Sequence, residues 1–336
     1  MITSQLGRIA AGVDLTQDEM TEVIDQLLTG AVPQNEIAVL LTALRAKGET
    51  ADEIAGAARA MRRHMTPIRT SRTGLVDTCG TGGIGSDLFN ISTAAAIVAA
   101  AAGVPIAKHG NRSVTSKSGS ADVLRELGVN VDAPVPVVER CLDELGICFC
   151  FAPQLHPAMK HVAPVRKQLG FATIFNLLGP LCNPAGATRQ LLGVGRRELH
   201  RTMADVTARL GTDHTLVVHG TDGIGEVSLS APTEVIAVSR EGQQSIAWRP
   251  EDFGLTTAGR ESLRVSSPQE SAALIRRIFS GEPGPPHDVV VINAAAALLA
   301  AEAQREARRA AEQAAAAIDS GAAARLLSAW AEMSFD

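Results

Sequence analysis

Apolar positions in the first part of the chain recur every three or four residues, the period of an amphipathic helix. Met20, Val23, Ile24, Leu27 and Leu28 make one such stripe, opened by a Thr16–Glu19 capping box and stopped at Gly30. Ile37, Leu40, Leu41 and Leu44 repeat the pattern up to Gly48. A second capping box, Thr50 to Glu53, opens a third helix through Ile54, Ala57, Ala58 and Met61, and Pro67 ends the run. Residues 1–68 are therefore expected to form a small all-helical domain.

From Leu75 the pattern shifts to short apolar runs alternating with alanine-rich or amphipathic segments: LVDTCG, STAAAIVAAAAG, VPIAKHG, SADVLRELG. That alternation predicts parallel strands joined by helical crossovers. Further strands are expected at ICFCFAP, QLLGVGR and TLVVHG, and EVSLSAPTEVIAVSREGQQSIAW reads as an antiparallel excursion around a Glu241–Gly242 turn. Ala301 to Ala317 is alanine-rich and charged, which predicts a solvated helix. Residues 69–336 thus read as a larger α/β domain with a mainly parallel central sheet. Within it, residues 157–184 are helical in period and flanked by prolines. As an insertion packing back on the N-terminal helices, they would leave a cleft between the two units.

Composition narrows the function classes. A length of 336 residues suits two domains better than one small core. Hydrophobic residues at 46% and charged residues at 20% exclude extended disorder. A formal charge of -5 offers no general attraction to nucleic acid or acidic membrane, so neither is expected as a partner. The N-terminus lacks a basic region followed by an apolar run, and Thr93 to Ala102 is shorter than the roughly 20 residues that cross a bilayer. A cytoplasmic protein is expected, with that stretch as a buried helix. Five cysteines without C-x-x-C spacing support neither a disulfide framework nor a zinc site. Cys148 and Cys150 alternate with Phe149 and Phe151 as strand residues would.

Two loops carry the candidate chemistry. In DTCGTGGIGSDLFNIST, Asp77 to Thr93, a strand empties into glycines Gly80, Gly82, Gly83 and Gly85, and Asn90, Ser92 and Thr93 then open a helix. Glycines let backbone amides approach a phosphate, and a helix N-terminus adds unpaired N–H groups and a favourable dipole. The segment lacks the Lys-Ser/Thr pair of a P-loop and the register of a dinucleotide fingerprint; a plain glycine-rich turn with Ser92 as N-cap is the bland alternative. In AKHGNRSVTSKSGSAD, Lys108, His109, Asn111, Arg112, Thr115, Ser116, Lys117, Ser118 and Ser120 crowd one loop after a strand. Cations and hydroxyls at that density suit a phosphate or diphosphate, at the strand end where open α/β sheets place ligands.

These segments, with FAPQLHPAMKHVAPVRKQLG, TIFNLLGPLCNPA and DGIGEVSLSAPT in the same order, resemble the anthranilate phosphoribosyltransferase family from about Asp14 to the C-terminus. The resemblance implies a small helical domain, a larger α/β domain, a homodimer, and transfer of phosphoribose from phosphoribosyl pyrophosphate to the amine of anthranilate. It places the phosphoribosyl pyrophosphate site on Gly80, Gly83, Ile84, Leu88, Asn90, Ile91, Ser92, Thr93, Lys108 and Ser120. It places the anthranilate site on Gly80, His109, Asn111 and Arg166, with Lys108, His109 and Arg166 as catalytic candidates. Magnesium would be held by Ser92 and Glu226.

Three positions depart from the family's pattern: Ile84 stands where Asp is usual, Leu88 where Thr is usual, and Gly225–Glu226 where an Asp–Glu pair is usual. Asp87 and Asp222 are nearby in sequence and could replace the missing carboxylates. The reaction implied is attack of the amine on ribose C1 with departure of pyrophosphate, so orientation and stabilisation of the leaving group should dominate. For His109, proton removal and loop fixing are both open. The rival readings are transfer to another aromatic amine, a pyrimidine nucleoside phosphorylase, and a catalytically silent nucleic-acid-binding paralogue.

Overall fold

The computed structural model describes residues 2–82, 87–113 and 117–336. Four helices open the chain: α1 (Thr3–Ala10), α2 (Gln17–Leu28), α3 (Gln34–Lys47) and α4 (Ala51–Arg63). Both capping boxes form, Thr16 with Glu19 on α2 and Thr50 with Glu53 on α4. Glu53 does more than cap. Wholly buried, it accepts from the backbone N of Leu15 at 3.1 Å and pairs with Lys47 at 2.9 Å, so its charge is matched inside the bundle.

Helices α2 and α4 touch backbone to backbone at Gly56. Thr21 Oγ1 donates to the Gly56 carbonyl at 3.0 Å, and a Cβ on Gly56 would lie 2.3 Å from the Gln17 carbonyl oxygen. Helix propensity alone would favour alanine there by about 1 kcal/mol. Forcing the two backbones apart costs about 1–3 kcal/mol and wins. Gly56→Ala is thus expected to lower the urea midpoint; an unchanged or raised midpoint would show that the two helices separate freely.

The rest of the chain is built on a seven-stranded sheet in the order β3-β2-β1-β4-β5-β6-β7. Its strands are β1 (Val76–Asp77), β2 (Ile106–Gly110), β3 (Ile147–Phe151), β4 (Arg189–Gly193), β5 (His214–Gly220), β6 (Thr233–Ser239) and β7 (Gly242–Trp248). The first five are parallel and the last two antiparallel. The mainly parallel sheet expected from the alternation is therefore present, and β6 and β7 form the hairpin. Residues 226–230, read from sequence as part of that excursion, form no strand: polar bonds from Asn293 and Thr233 hold the segment as a turn.

Helices α5 (Ile91–Ala101), α6 (Ser120–Glu126) and α7 (Val135–Leu145) follow β1 and β2, and α8 (Ala152–Leu155), α9 (Ala163–Leu169) and α10 (Phe175–Leu178) follow β3. Then come α11 (Arg197–Arg209), α12 (Pro268–Phe279), α13 (Pro285–Ala300), α14 (Ala307–Asp319) and α15 (Ala322–Met333). Alternation along β5 sorts the layers. Leu216 and Val218 pack with α5, α13, α14 and α15, whereas Val217 faces α11 and the helical unit. Val162, Val165, Phe175 and Leu178 join that second core, so residues 157–181 pack on the N-terminal helices as short helical pieces.

The alanine-rich stretch near the C-terminus differs from expectation in two ways. Residues 301–306 are turn and the helix begins at Ala307; Ala310, Ala311, Ala314 and Ala317 are buried, so one face of α14 is core. Alanine's small side chain fits either environment, which is why composition misread that face. Among the described residues no helix is long and apolar enough to cross a membrane.

Candidate active site

Strand β1 lies between β2 and β4 and is parallel to both, with β2 and β3 on one side and β4 and β5 on the other. Such a reversal of strand order opens a crevice at the strands' carboxyl ends, where ligands of open α/β sheets bind. A cavity of about 720 Å³ occupies it, walled by the glycine loop, the first turn of α5, the end of β2 and the 156–180 segment. Among the described residues four cations border it, Lys108, Arg112, Lys160 and Arg166. Among the described residues Glu226 is the one carboxylate that does. The balance favours an anionic occupant.

The glycine loop is seated by backbone contact. Thr81 N donates to the Gly193 carbonyl at 2.8 Å, and a Cβ on Gly80 would lie 2.7 Å from that same oxygen. Gly83 and Ile84 lie outside the described residues. Leu88 borders the cavity and bridges antiparallel to Arg264, with Phe89 N donating to Leu263 O at 2.9 Å. An aliphatic side chain there offers no hydrogen bond to a diphosphate.

Asn90, Ile91 and Ser92 line the cavity where α5 begins. The Asn90 side chain is already committed: Oδ1 accepts from Ser118 Oγ at 2.6 Å and Ser271 Oγ at 2.8 Å, while Nδ2 donates to Ser118 O at 3.1 Å. It therefore ties the basic loop to α12. Thr93, expected at the site, is 1% exposed and does not border the cavity, because the helical turn carries it into the core. Ser120 Oγ closes the basic loop, accepting from Asn111 N and donating to Asn111 O at 3.2 Å each.

Lys108 reaches the cavity floor from the end of β2. Its Nζ donates to Thr78 Oγ1 at 3.2 Å and Ser92 Oγ at 3.4 Å. Burial lowers its pKa, opposed by the titratable groups of Cys79, Asp77 and Glu226 nearby. Asp77, behind it, is pushed up to about 6 by burial despite bonds from Asn183 Nδ2 at 2.9 Å and His109 N at 3.1 Å. Burial likewise raises Glu226 to about 7 against the pull of Lys108.

The carboxylates considered as replacements point elsewhere. Asp222 Oδ2 accepts from Ser228 Oγ at 2.9 Å and from Ser230 Oγ, bracing the turn before Gly225, and Asp87 pairs with Arg264 at 3.4 Å. Neither borders the cavity. Gly225 is also tightly enclosed: a Cβ there would sit 3.1 Å from Gly195 N.

Arg166, half-buried on α9, also borders the cavity, lies over the Phe175 ring at 5.6 Å and donates to Asn176 Oδ1 at 3.4 Å. No acidic side chain among the described residues pairs with it. Burial lowers its pKa, so an incoming carboxylate would supply the charge the site lacks. Asn111 and His109 border the same cavity.

The chain matches the glycosyl transferase family's helical bundle domain over residues 4–65 and its a/b domain over residues 72–324. It is 51% identical over 330 residues to an anthranilate phosphoribosyltransferase from Symbiobacterium thermophilum, covering 98% of this chain and 96% of that one. A relative of the same name from Rhodopirellula baltica is 52% identical over 279 residues, 83% of this chain and 82% of the relative. The crystal structure of anthranilate phosphoribosyltransferase from Thermus thermophilus superposes with a TM-score of 0.92 at 44% identity, covering 98% of this chain and 99% of that one. The chain belongs to the anthranilate phosphoribosyltransferase family. A more distant member, from Saccharomyces cerevisiae in complex with phosphoribosyl pyrophosphate and Mg, superposes with a TM-score of 0.90 at 29% identity, covering 99% of this chain and 98% of that one.

Against the family's motifs, the structure adds cavity residues that sequence reasoning left unassigned. Lys160, Met159 and His156 come from the HPAMKH segment, and Asn176 follows Phe175. The only sequence signal near them was the prolines that break this segment into short helical pieces. Asn293 carried no local signal: buried on α13, it grips Val227 by N–H and carbonyl at 2.9 Å each and so fixes the segment bearing Glu226.

Proposed function

We infer that this chain transfers the phosphoribosyl group of phosphoribosyl pyrophosphate to the amine of anthranilate, yielding N-(5-phosphoribosyl)anthranilate and pyrophosphate in tryptophan biosynthesis. The observation that carries this reading is a single cavity bordered by the glycine loop with Lys108 and also by Arg166, with which no acidic side chain among the described residues pairs. The glycine loop, the start of α5 and Lys108 suit a diphosphate, and Arg166, without an acidic partner, suits the carboxylate of the acceptor. The amine attacks ribose C1 as the C1–oxygen bond to pyrophosphate breaks. An aromatic amine is a weak nucleophile, so Arg166 and Asn111 contribute by orientation and Lys108 by stabilising charge on the departing group. Aniline, which lacks the carboxylate, should react at least about tenfold more slowly than anthranilate at equal concentration, the worth of one charged hydrogen bond. Equal rates would remove the carboxylate from the recognition scheme.

Magnesium suits the same site. Glu226 borders the cavity and accepts no hydrogen bond from a described residue, and Ser92 Oγ lies on the cavity wall beside Lys108. When bound, the ion would neutralise diphosphate charge, with Glu226 and Ser92 as its protein ligands. Magnesium commonly takes one or two carboxylates plus substrate phosphates, so a single carboxylate suffices. Glu226→Gln should raise the magnesium needed for half-maximal rate, and Gly225→Asp should lower it if the Gly195 backbone yields by a few tenths of an ångström. A titration unmoved by Glu226→Gln would place the ion elsewhere.

The homodimer belongs to the same proposal. An open apolar groove between α1 and α3, lined by Ile9, Ala10, Ala38, Val39 and Ala43, leaves Val39 51% exposed, and a second copy would cover it.

A further inference from the structure

His109 and His156 form a pair on the cavity wall, and one backbone carbonyl fixes the protons of both rings. His109 Nδ1 is 2.7 Å from the Gly179 carbonyl oxygen, which can only accept, so Nδ1 carries the proton. In a neutral ring Nε2 is then bare. That bare Nε2 is 3.1 Å from His156 Nε2, which must therefore be the donor. His156 Nδ1 is left as a bare acceptor, buried and without a partner. The rings meet edge to face with centroids 5.1 Å apart and are 2% and 6% exposed.

We propose that His156 is a positioning residue that locks His109 as a neutral, fully hydrogen-bonded imidazole, so that His109 orients the acceptor and does not take the proton of its amine. This rests on the transferase reading above and assigns His109 one of the two roles the sequence left open. For His109 to accept a proton, Nε2 must become a donor, and His156 must turn its own proton inward to Nδ1. No acceptor waits there. The bookkeeping of the step then closes without the imidazole: the amine nitrogen bonds to C1, the C1–oxygen electron pair leaves with pyrophosphate, and the ammonium proton follows to a pyrophosphate oxygen.

The surroundings act in the same direction. The charged and titratable groups near His109 are His156 at its Nε2, Lys108 next to it on the strand, Asp77, whose carboxylate accepts from His109 N, and Cys79. Burial first, then Lys108, holds His109 down at about 4, opposed by its bond to Gly179. Burial and the neighbouring His109 hold His156 at about 3. Both groups are depressed histidines, so both stay neutral at any pH above these values.

Magnitudes separate the two roles. Removing a general base costs about a hundred- to ten-thousandfold in kcat. Losing one neutral hydrogen bond that orients a ring costs about two- to tenfold. Asparagine keeps a donor to Gly179 O near the Nδ1 position and, being too short to reach where Nε2 stood, loses only the bond from His156.

The test is long-range 15N–1H NMR of the intact, histidine-labelled protein between pH 5.5 and 8.5, with signals assigned through His109→Asn and His156→Asn. His109 protonated at Nδ1, His156 protonated at Nε2, and no titration of either is the expected result. The kcat of His109→Asn should stay within about tenfold of the parent, and its pH profile should keep the same acid limb. A His109 ring that titrates in that range, or a hundredfold loss of kcat with loss of the acid limb, would overturn the proposal. The NMR arm needs no turnover, so a protein inactive toward anthranilate would sink the transferase reading while leaving the tautomer result to be read.

Discussion

Lys108→Met is expected to lose about a hundred- to a thousandfold in kcat, with a rise in KM for phosphoribosyl pyrophosphate, the scale seen when one preorganised donor to a developing anion is removed. The Lys108 ammonium is 2% exposed and already aimed by Thr78 Oγ1 and Ser92 Oγ, so no reorganisation is needed as charge builds on the leaving group. A ground-state contact would lower binding alone; a contact that strengthens as the C1–oxygen bond breaks lowers kcat as well. Methionine keeps the length of the buried stem, which separates loss of charge from collapse of the core. A steady-state kinetic series in both substrates, accompanied by a thermal melt, makes the measurement. If KM for phosphoribosyl pyrophosphate rose and kcat held, Lys108 would serve binding and not the bond-breaking step.

Arg166→Ala is expected to raise KM for anthranilate about ten- to a hundredfold, since a hydrogen bond to a charged group is worth about 1.5–3 kcal/mol. KM for phosphoribosyl pyrophosphate should move far less. The guanidinium is held over Phe175 and has Asn176 as its hydrogen-bonding neighbour, so the variant leaves no buried anion unpaired behind it. Lysine is a poor substitute because a planar fork matches a carboxylate and a point charge does not. Varying each substrate at saturation of the other measures the split. An anthranilate KM unchanged in Arg166→Ala would exclude this residue from acceptor recognition.

Much of the fold was legible because its causes are local. Thr16 with Glu19 and Thr50 with Glu53 announce two helices within four residues each, and both boxes close as expected. The run from Ala94 to Ala100 is apolar on all sides, and it is buried on all sides. Strand β1 is harder: two residues long, it is visible only because Asp77 leads into the glycine loop. The strand order, with β1 between β2 and β4, depends on pairings across more than a hundred residues that no local period encodes.

The site divides the same way. The glycine loop, Lys108 and Arg166 stand in motifs that can be read along the chain. What Asn90 does cannot, because its partner Ser271 is 181 residues away in sequence. The same holds for Thr93, which shares a motif with Ser92 yet turns into the core one helical step later. Gly225 illustrates the opposite limit. Its missing carboxylate was plain in sequence, but its enclosure against Gly195 required the folded chain to see.

The central claim is that anthranilate and phosphoribosyl pyrophosphate react in this cavity. The most direct test is the loss of anthranilate fluorescence with time when the purified full-length chain is mixed with both substrates and magnesium. The account predicts a rate that saturates in both substrates, vanishes when either is withheld, and yields pyrophosphate mole for mole with anthranilate consumed. No loss of fluorescence at any magnesium concentration, from a protein whose melt shows it folded, would contradict it.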